Sequence, residues 1–198
     1  MIGLFGRFQE KYITFNREII NVIYKHNFTP LGIIIDFNNN PSNEFYKIKP
    51  LLDKCDGFIL QGGSDYYDID ILITNYLHDN NIPTLGICLG MQQMAMAANG
   101  QMADIKDHKS ENKYVHKVNI NKNSKLYKIL KKEEILVNSR HKSYITKTNL
   151  LINATNNIIE GVEDTSKSFY IGLQWHPESL DDENSKNLFN AFFSTIKR

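Results

Sequence analysis

The chain has 198 residues, enough for one well-buried domain and too few for two ordinary ones. Its 23 Lys and Arg against 22 Asp and Glu leave a formal charge of +1, so no global field recruits nucleic acid or an anionic membrane surface, and any anion binding must be local. No apolar run reaches membrane-spanning length, the first residues lack the pattern of a leader, and two cysteines make no disulfide framework, so a single cytoplasmic domain over 1–198 is expected.

Apolar residues at 2–5 predict a first buried strand. Phe15, Ile19, Val22 and Ile23 recur at helical spacing and predict an amphipathic helix after it. Strands follow at 31–35 and 57–60, then a helix at 69–77, a strand at 85–87, and a helix over 91–98 that stops at Asn99-Gly100. Alternation of this kind argues for a mostly parallel, doubly wound α/β sheet. From 101 to 125 the chain turns polar, as a hairpin or loop excursion does. Strand-like runs return at 135–137, 150–152 and 169–173, and Leu188, Phe189, Phe192, Phe193 and Ile196 share one face of a last helix. Asparagine runs such as Asn38-Asn39-Asn40 read as turn chemistry.

Three segments carry chemistry. Gly86-Ile87-Cys88-Leu89-Gly90 closes a strand and opens a helix, and glycines two residues either side of Cys88 make room for a side chain presented on a strained elbow. There the helix dipole and free N–H groups favour a thiolate; the alternative is a packed core cysteine in a glycine-punctuated turn. Strand 169–173 runs into Gln174-Trp175-His176-Pro177-Glu178, which puts His176 at the same carboxyl edge of the sheet as Cys88. An imidazole beside the thiol takes its proton and returns it to a leaving amine, and Glu178 fixes the ring's tautomer; alone, the motif reads as a capped strand end. The turn Gln61-Gly62-Gly63-Ser64 lets backbone N–H groups approach a tetrahedral oxyanion, together with Leu89 N–H.

In this order the Gly-Gly turn, the elbow and the strand-H-P-E segment resemble the class I glutamine amidotransferase superfamily, over nearly the whole chain. The resemblance implies a flavodoxin-like fold and hydrolysis of a γ-glutamyl amide through a thioester, with no cofactor. It implies Cys88 as nucleophile, His176 as base and acid, Glu178 as orienter, Gly63 and Leu89 as oxyanion hole, and Gly62 and Gln92 as holders of the glutamyl group.

Val137-Asn138-Ser139-Arg140-His141-Lys142 resembles the V-N-S-x-H stretch of γ-glutamyl hydrolases, including those that release γ-aminobutyrate, and implies Ser139, Arg140, His141 and Lys142 as substrate contacts. Arg140 and Lys142 replace less charged positions of that pattern. They suit a polyanionic, nucleotide-bearing leaving group, or else form a solvated basic loop. In size and in this substitution the chain is similar to the γ-glutamyl-CDP-amidate hydrolases of capsule phosphoramidate synthesis, which release cytidine diphosphoramidate and glutamate. Arg7, after the first strand, is a further candidate contact. A glutaminase subunit feeding ammonia to a separate synthetase is possible but not favoured, and a catalytically silent binding module would be marked by loss of a triad residue. His108 and His116 could line the entrance. Cys55 and Cys88 are far apart and no close Cys/His cluster stands in the sequence, so no metal site is expected.

Overall fold

The computed structural model describes residues 1–106 and 108–196. Strand β1 (Ile2–Phe5) is buried throughout and leads into a separate hairpin, β2 (Arg7–Gln9) and β3 (Tyr12–Thr14). Helix α1 (Arg17–Lys25) begins where the Asn16 side chain accepts from the N–H groups of Glu18 and Ile19, replacing two of the hydrogen bonds a helix start lacks. There follow β4 (Pro30–Ile33), α2 (Pro41–Leu52), β5 (Gly57–Leu60), α3 (Asp68–Asp79), β6 (Thr84–Ile87) and α4 (Leu89–Ala97). The second half runs β7 (Gln101–Asp104), β8 (His116–Ile120), α5 (Lys125–Leu130), β9 (Glu134–Val137), β10 (Ser143–Lys147), β11 (Leu151–Asn156), β12 (Ile158–Glu163), β13 (Tyr170–Leu173), a 3₁₀ turn (Pro177–Ser179) and α6 (Glu183–Ser194).

One 11-stranded sheet takes the order β4-β1-β5-β6-β13-β12-β11-β8-β9. The first five of these pair in parallel, as the sequence predicts, and counted among themselves they stand in the order 2-1-3-4-5 of a flavodoxin-like sheet. Beyond β13 every pairing is antiparallel, and β10 joins β12 to β7. The polar excursion after residue 100 thus supplies two strands of this extension, β7 and β8.

The two faces of the parallel half are packed separately. On one, Ile19 and Ile23 of α1 and Leu188, Phe189 and Phe192 of α6 meet Ile2, Leu4, Ile59 and Leu85. On the other, Ile48 and Leu52 of α2 and Ile69, Ile73 and Leu77 of α3 meet Phe5, Phe58 and Leu60. Alternation along β1 and β5 sends successive side chains to opposite layers, which is what winding the sheet on both sides requires. Helix α2 lies where the sequence reading assigns no element, just after the Asn38-Asn39-Asn40 turn: Asn40 caps it, its side chain accepting from the Ser42 and Asn43 N–H groups, and Pro41 takes the first position, where a missing N–H costs no bond.

Candidate active site

Cys88 lies between β6 and α4 with φ 53° and ψ −104°. Such a backbone costs a non-glycine residue about 1–3 kcal/mol, and the surroundings hold it in place. Its N–H donates to Leu173 O at 2.8 Å, tying the elbow to β13. A Cβ on Gly90 would fall 2.1 Å from Leu60 O, and one on Gly86 would fall 2.5 Å from Met94 Sδ, so both positions need glycine for close approach. Leu89 N–H is the first of α4 and has no acceptor within its own helix.

The ends of neighbouring strands bring the partners. His176, after β13, holds Glu178 Oε1 2.8 Å from its Nδ1, and Asn16 Nδ2 donates to that same oxygen at 3.1 Å. The backbone of His176 is clamped twice by Asn138: its N–H donates to Oδ1 at 2.8 Å and its carbonyl accepts from Nδ2 at 2.9 Å. Glu178 lies fully buried in its side chain, so its charge acts on the imidazole with little screening. Burial pulls the His176 pKa down, but the Glu178 charge and the hydrogen bond and charge of Cys88 outweigh it and carry the ring up to about 10. At neutral pH the ring is therefore an imidazolium beside the sulfur.

Gly62 sits against both groups, since a Cβ there would meet His176 Cε1 at 3.0 Å and Cys88 Cβ at 3.6 Å. Gly63 is packed between Leu89 and Arg7: a Cβ would meet Leu89 Cδ2 at 2.9 Å and Arg7 Cγ at 3.2 Å. Arg7 is buried, and its two terminal nitrogens donate to Asp70 at 3.0 and 2.7 Å, so it braces the Gly-Gly turn from beneath. Gln61 locks the same turn by donating to Phe5 O and Thr14 O.

Cys88 opens on a cavity of about 250 Å³ lined by Gly63, Ser64, Gln92, Lys109, Arg140, His141, Lys142 and Ser143. Gln92 Nε2 donates to Ser143 O at 2.9 Å and to Gln174 Oε1 at 3.1 Å, while Gln174 Nε2 donates to Cys88 Sγ at 3.6 Å. Arg140 donates to Ser179 Oγ at 2.9 Å, and Lys142 is exposed on the rim. Ser139 is fully buried and its hydroxyl donates to His108 O at 2.5 Å, so it fastens two loops together. Burial pushes the His141 imidazole below its ordinary pKa.

Sequence reasoning overlooked Lys109, Asn16, Asn138 and Gln174. The first lies in the polar excursion, and the other three act through long-range contacts, to Glu178, the His176 backbone and Cys88 in turn, that only folding creates. It also finds no close histidine cluster, whereas folding gathers His108, His116 and Glu160, with one ligand atom from each within 4.8 Å of the others, and sets His141 against His108.

The family model for Peptidase C26 matches residues 65–178. GMP synthase (glutamine-hydrolyzing) of Francisella philomiragia subsp. philomiragia is 34% identical over 146 residues, which cover 71% of this chain and 27% of that protein. The enzyme of the same name from Francisella tularensis subsp. novicida is 30% identical over 145 residues with the same coverage. The chain thus spans about a quarter of the length of the curated relatives it matches. Among solved structures, a Thermoplasma acidophilum protein assigned as a GMP synthase subunit superposes with a TM-score of 0.72 at 21% identity, over 98% of this chain and 94% of that one. The glutaminase domain of Trypanosoma brucei CTPS with bound acivicin gives 0.70 at 19% identity, over 100% and 94%. Those two likenesses fix the fold, and the family match, over more than half of the sequence, fixes the membership: the chain belongs to the Peptidase C26 family of class I glutamine amidotransferases.

Proposed function

We propose that this chain hydrolyses a γ-glutamyl amide through a thioester on Cys88 and releases glutamate. The observation that carries the reading is the positive-φ cysteine at the start of α4, beside an imidazole that a buried carboxylate keeps protonated. The sulfur attacks the γ-carbonyl carbon, and the oxygen takes up charge between the Gly63 and Leu89 N–H groups; each such donor is worth about 10² to 10³ in rate. His176 then gives its Nε2 proton to the leaving nitrogen as the C–N bond breaks. In the second half the neutral imidazole takes a proton from water, the water oxygen attacks the thioester, and the C–S bond breaks to free glutamate and restore the Cys88–His176 pair. Gly62 and Gln92 would hold the glutamyl group against the elbow.

The three cations at the cavity, Lys109, Arg140 and Lys142, support an anionic leaving group, and a nucleotide-bearing one such as cytidine diphosphoramidate is the specific substrate we favour. The likeness to GMP synthases favours a second reading, a glutaminase that hands ammonia to a partner synthetase. The two separate in one assay. The purified chain, without a partner, is offered glutamine, a simple γ-glutamyl amide and γ-glutamyl-CDP-amidate, and glutamate release is followed. Turnover of the nucleotide conjugate far above that of glutamine is expected, with a KM that rises in the double variant R140Q/K142Q more than it does for the simple amide. Activity that appears only with an added synthetase would replace this reading by the second. Unchanged glutamate release in C88A would overturn both.

A further inference from the structure

A second polar cluster adjoins the cavity at His141 and is drawn from four separate segments. His108 lies between β7 and β8, His116 opens β8, Glu160 sits in the middle of β12, and His141 lies in the connection from β9 to β10. Glu160 is 1% exposed and His141 4%, yet among the described residues neither oxygen of Glu160, nor Nε2 of His108, His116 or His141, has a hydrogen-bond partner. The His116 and His108 nitrogens stand 2.9 and 3.6 Å from Glu160 Oε1 but are not aligned to donate to it. Five buried polar atoms without partners at one place are rare in a folded chain, where such groups are nearly always satisfied.

We propose that these four side chains form a binding site for a divalent transition metal of the zinc class, with three imidazole nitrogens and one carboxylate as ligands. Three features support it. The donor set is the nitrogen-rich, single-carboxylate kind that suits zinc, and its charge of −1 partly neutralises the ion. Ligand atoms around a tetrahedral zinc at ~2.0–2.1 Å stand about 3.3 Å from one another; the contacts at 2.9 and 3.6 Å lie either side of that figure, and the ligand atoms of His108, His116 and Glu160, all within 4.8 Å of one another, need to close by at most about 1.5 Å. Finally, His141 Nδ1 is 3.0 Å from Ser143 O, the outer hydrogen bond that leaves Nε2 as the ring's ligand atom, and its ring packs against His108 with centroids 4.6 Å apart.

The position gives the ion a structural task. It would tie the loops that carry Lys109, Arg140 and Lys142 to strands β8 and β12 beside the cavity, while taking no part in the thioester chemistry. Ser139 already joins the same two loops through His108 O and the Ser110 N–H.

The test uses the whole chain. Wild type, C88A, E160Q and H116A are freed of metal with a chelator, then titrated with Zn²⁺ while the melting temperature and bound metal are measured, and with Co²⁺ while the visible spectrum is recorded. Wild type and C88A are expected to bind about one equivalent, to melt at higher temperature with zinc, and to give the intense visible bands of tetrahedral Co²⁺ with no near-ultraviolet thiolate band. E160Q and H116A should lose the bands and the shift. No visible Co²⁺ spectrum and no bound zinc in wild type would overturn the proposal, leaving a metal-free imidazole–carboxylate cluster. Binding that E160Q keeps and C88A loses would also overturn it, by moving the ion to the catalytic thiol. Because Co²⁺ ligation by nitrogen and oxygen is read in wild type, the result is decisive even if a variant fails to fold.

Discussion

Replacing Glu178 by Gln removes a charge from His176 while keeping the side chain's size and its acceptor oxygen. In the native site burial works against the imidazolium, and the Glu178 charge, ahead of the contribution of Cys88, carries the ring from its ordinary 6.5 to about 10. An opposite charge at this range shifts a pKa by about 1–3 units, and each unit is about 1.4 kcal/mol of preference for the charged ring. Glu178→Gln should therefore bring the His176 midpoint down by about 1–3 units, a loss of about 1–4 kcal/mol, and by more than Cys88→Ala does. Titration of the ring ¹⁵N shifts by NMR reads this without any substrate. A group whose folded pKa is raised contributes stability fully below its unfolded value of 6.5, and that contribution is lost as pH climbs towards about 10. The Glu178→Gln variant should accordingly lose most stability relative to wild type near neutral pH and below, and converge with it in strong alkali. A wild-type midpoint near 6.5, or one that Glu178→Gln leaves in place, would refute the account of a carboxylate-held imidazolium.

Other substitutions probe the scaffold around the pair. Gly90→Ala forces a Cβ to within 2.1 Å of Leu60 O, and overpacking of this kind costs about 1–3 kcal/mol or more; since a shift of the elbow by about an ångström is worth about 10² in rate, alkylation of Cys88 and turnover should fall together, and a variant with normal melting and normal labelling would contradict the close-packed elbow. Asp70→Ala strands the buried Arg7 guanidinium and frees the Tyr67 N–H that Asp70 accepts from, so urea unfolding should show a loss of about 3–5 kcal/mol, with a midpoint close to wild type as the opposing result. Asn138→Ala removes both clamps on the His176 backbone and should lower kcat as well as costing about 1–3 kcal/mol in urea unfolding; unchanged kcat would show that the clamps do not position the ring.

The parallel half was legible because each of its strands is an uninterrupted apolar run, and each chemical segment sits directly after one. Cys88 follows β6, His176 follows β13 and Gly62-Gly63 follow β5, so sequence order alone places them at one edge. The antiparallel half hides its core. Strand β12 buries Glu160 and Glu163, and a pattern that reads as half-solvated is in fact internal. For Glu163 the reason is visible: its carboxylate accepts from the N–H groups of Lys125 and Leu126 and from Asn153, capping the short helix α5. Strand β10 has a single fully buried apolar side chain, Ile145, too little for any periodicity to register. Helix α2 was lost for the opposite reason, since its Asn-Pro start is equally good turn chemistry.

The division between the two halves is also a division of labour. Cys88 and the Gly-Gly turn are fixed at the edge of the parallel sheet by glycines that admit no Cβ and by a buried ion pair at the turn, while the clamp on His176 comes from Asn138 in the β9–β10 connection. The cations that line the opposite side of the cavity come from the excursion after β7 and from the β9–β10 connection, which belong to the antiparallel extension. The same β9–β10 connection also carries Asn138, whose clamp sets the His176 backbone, so that loop touches both the cavity wall and the imidazole. The two sides meet at Gln92, whose amide bridges Ser143 of the wall to Gln174 and, through it, to Cys88.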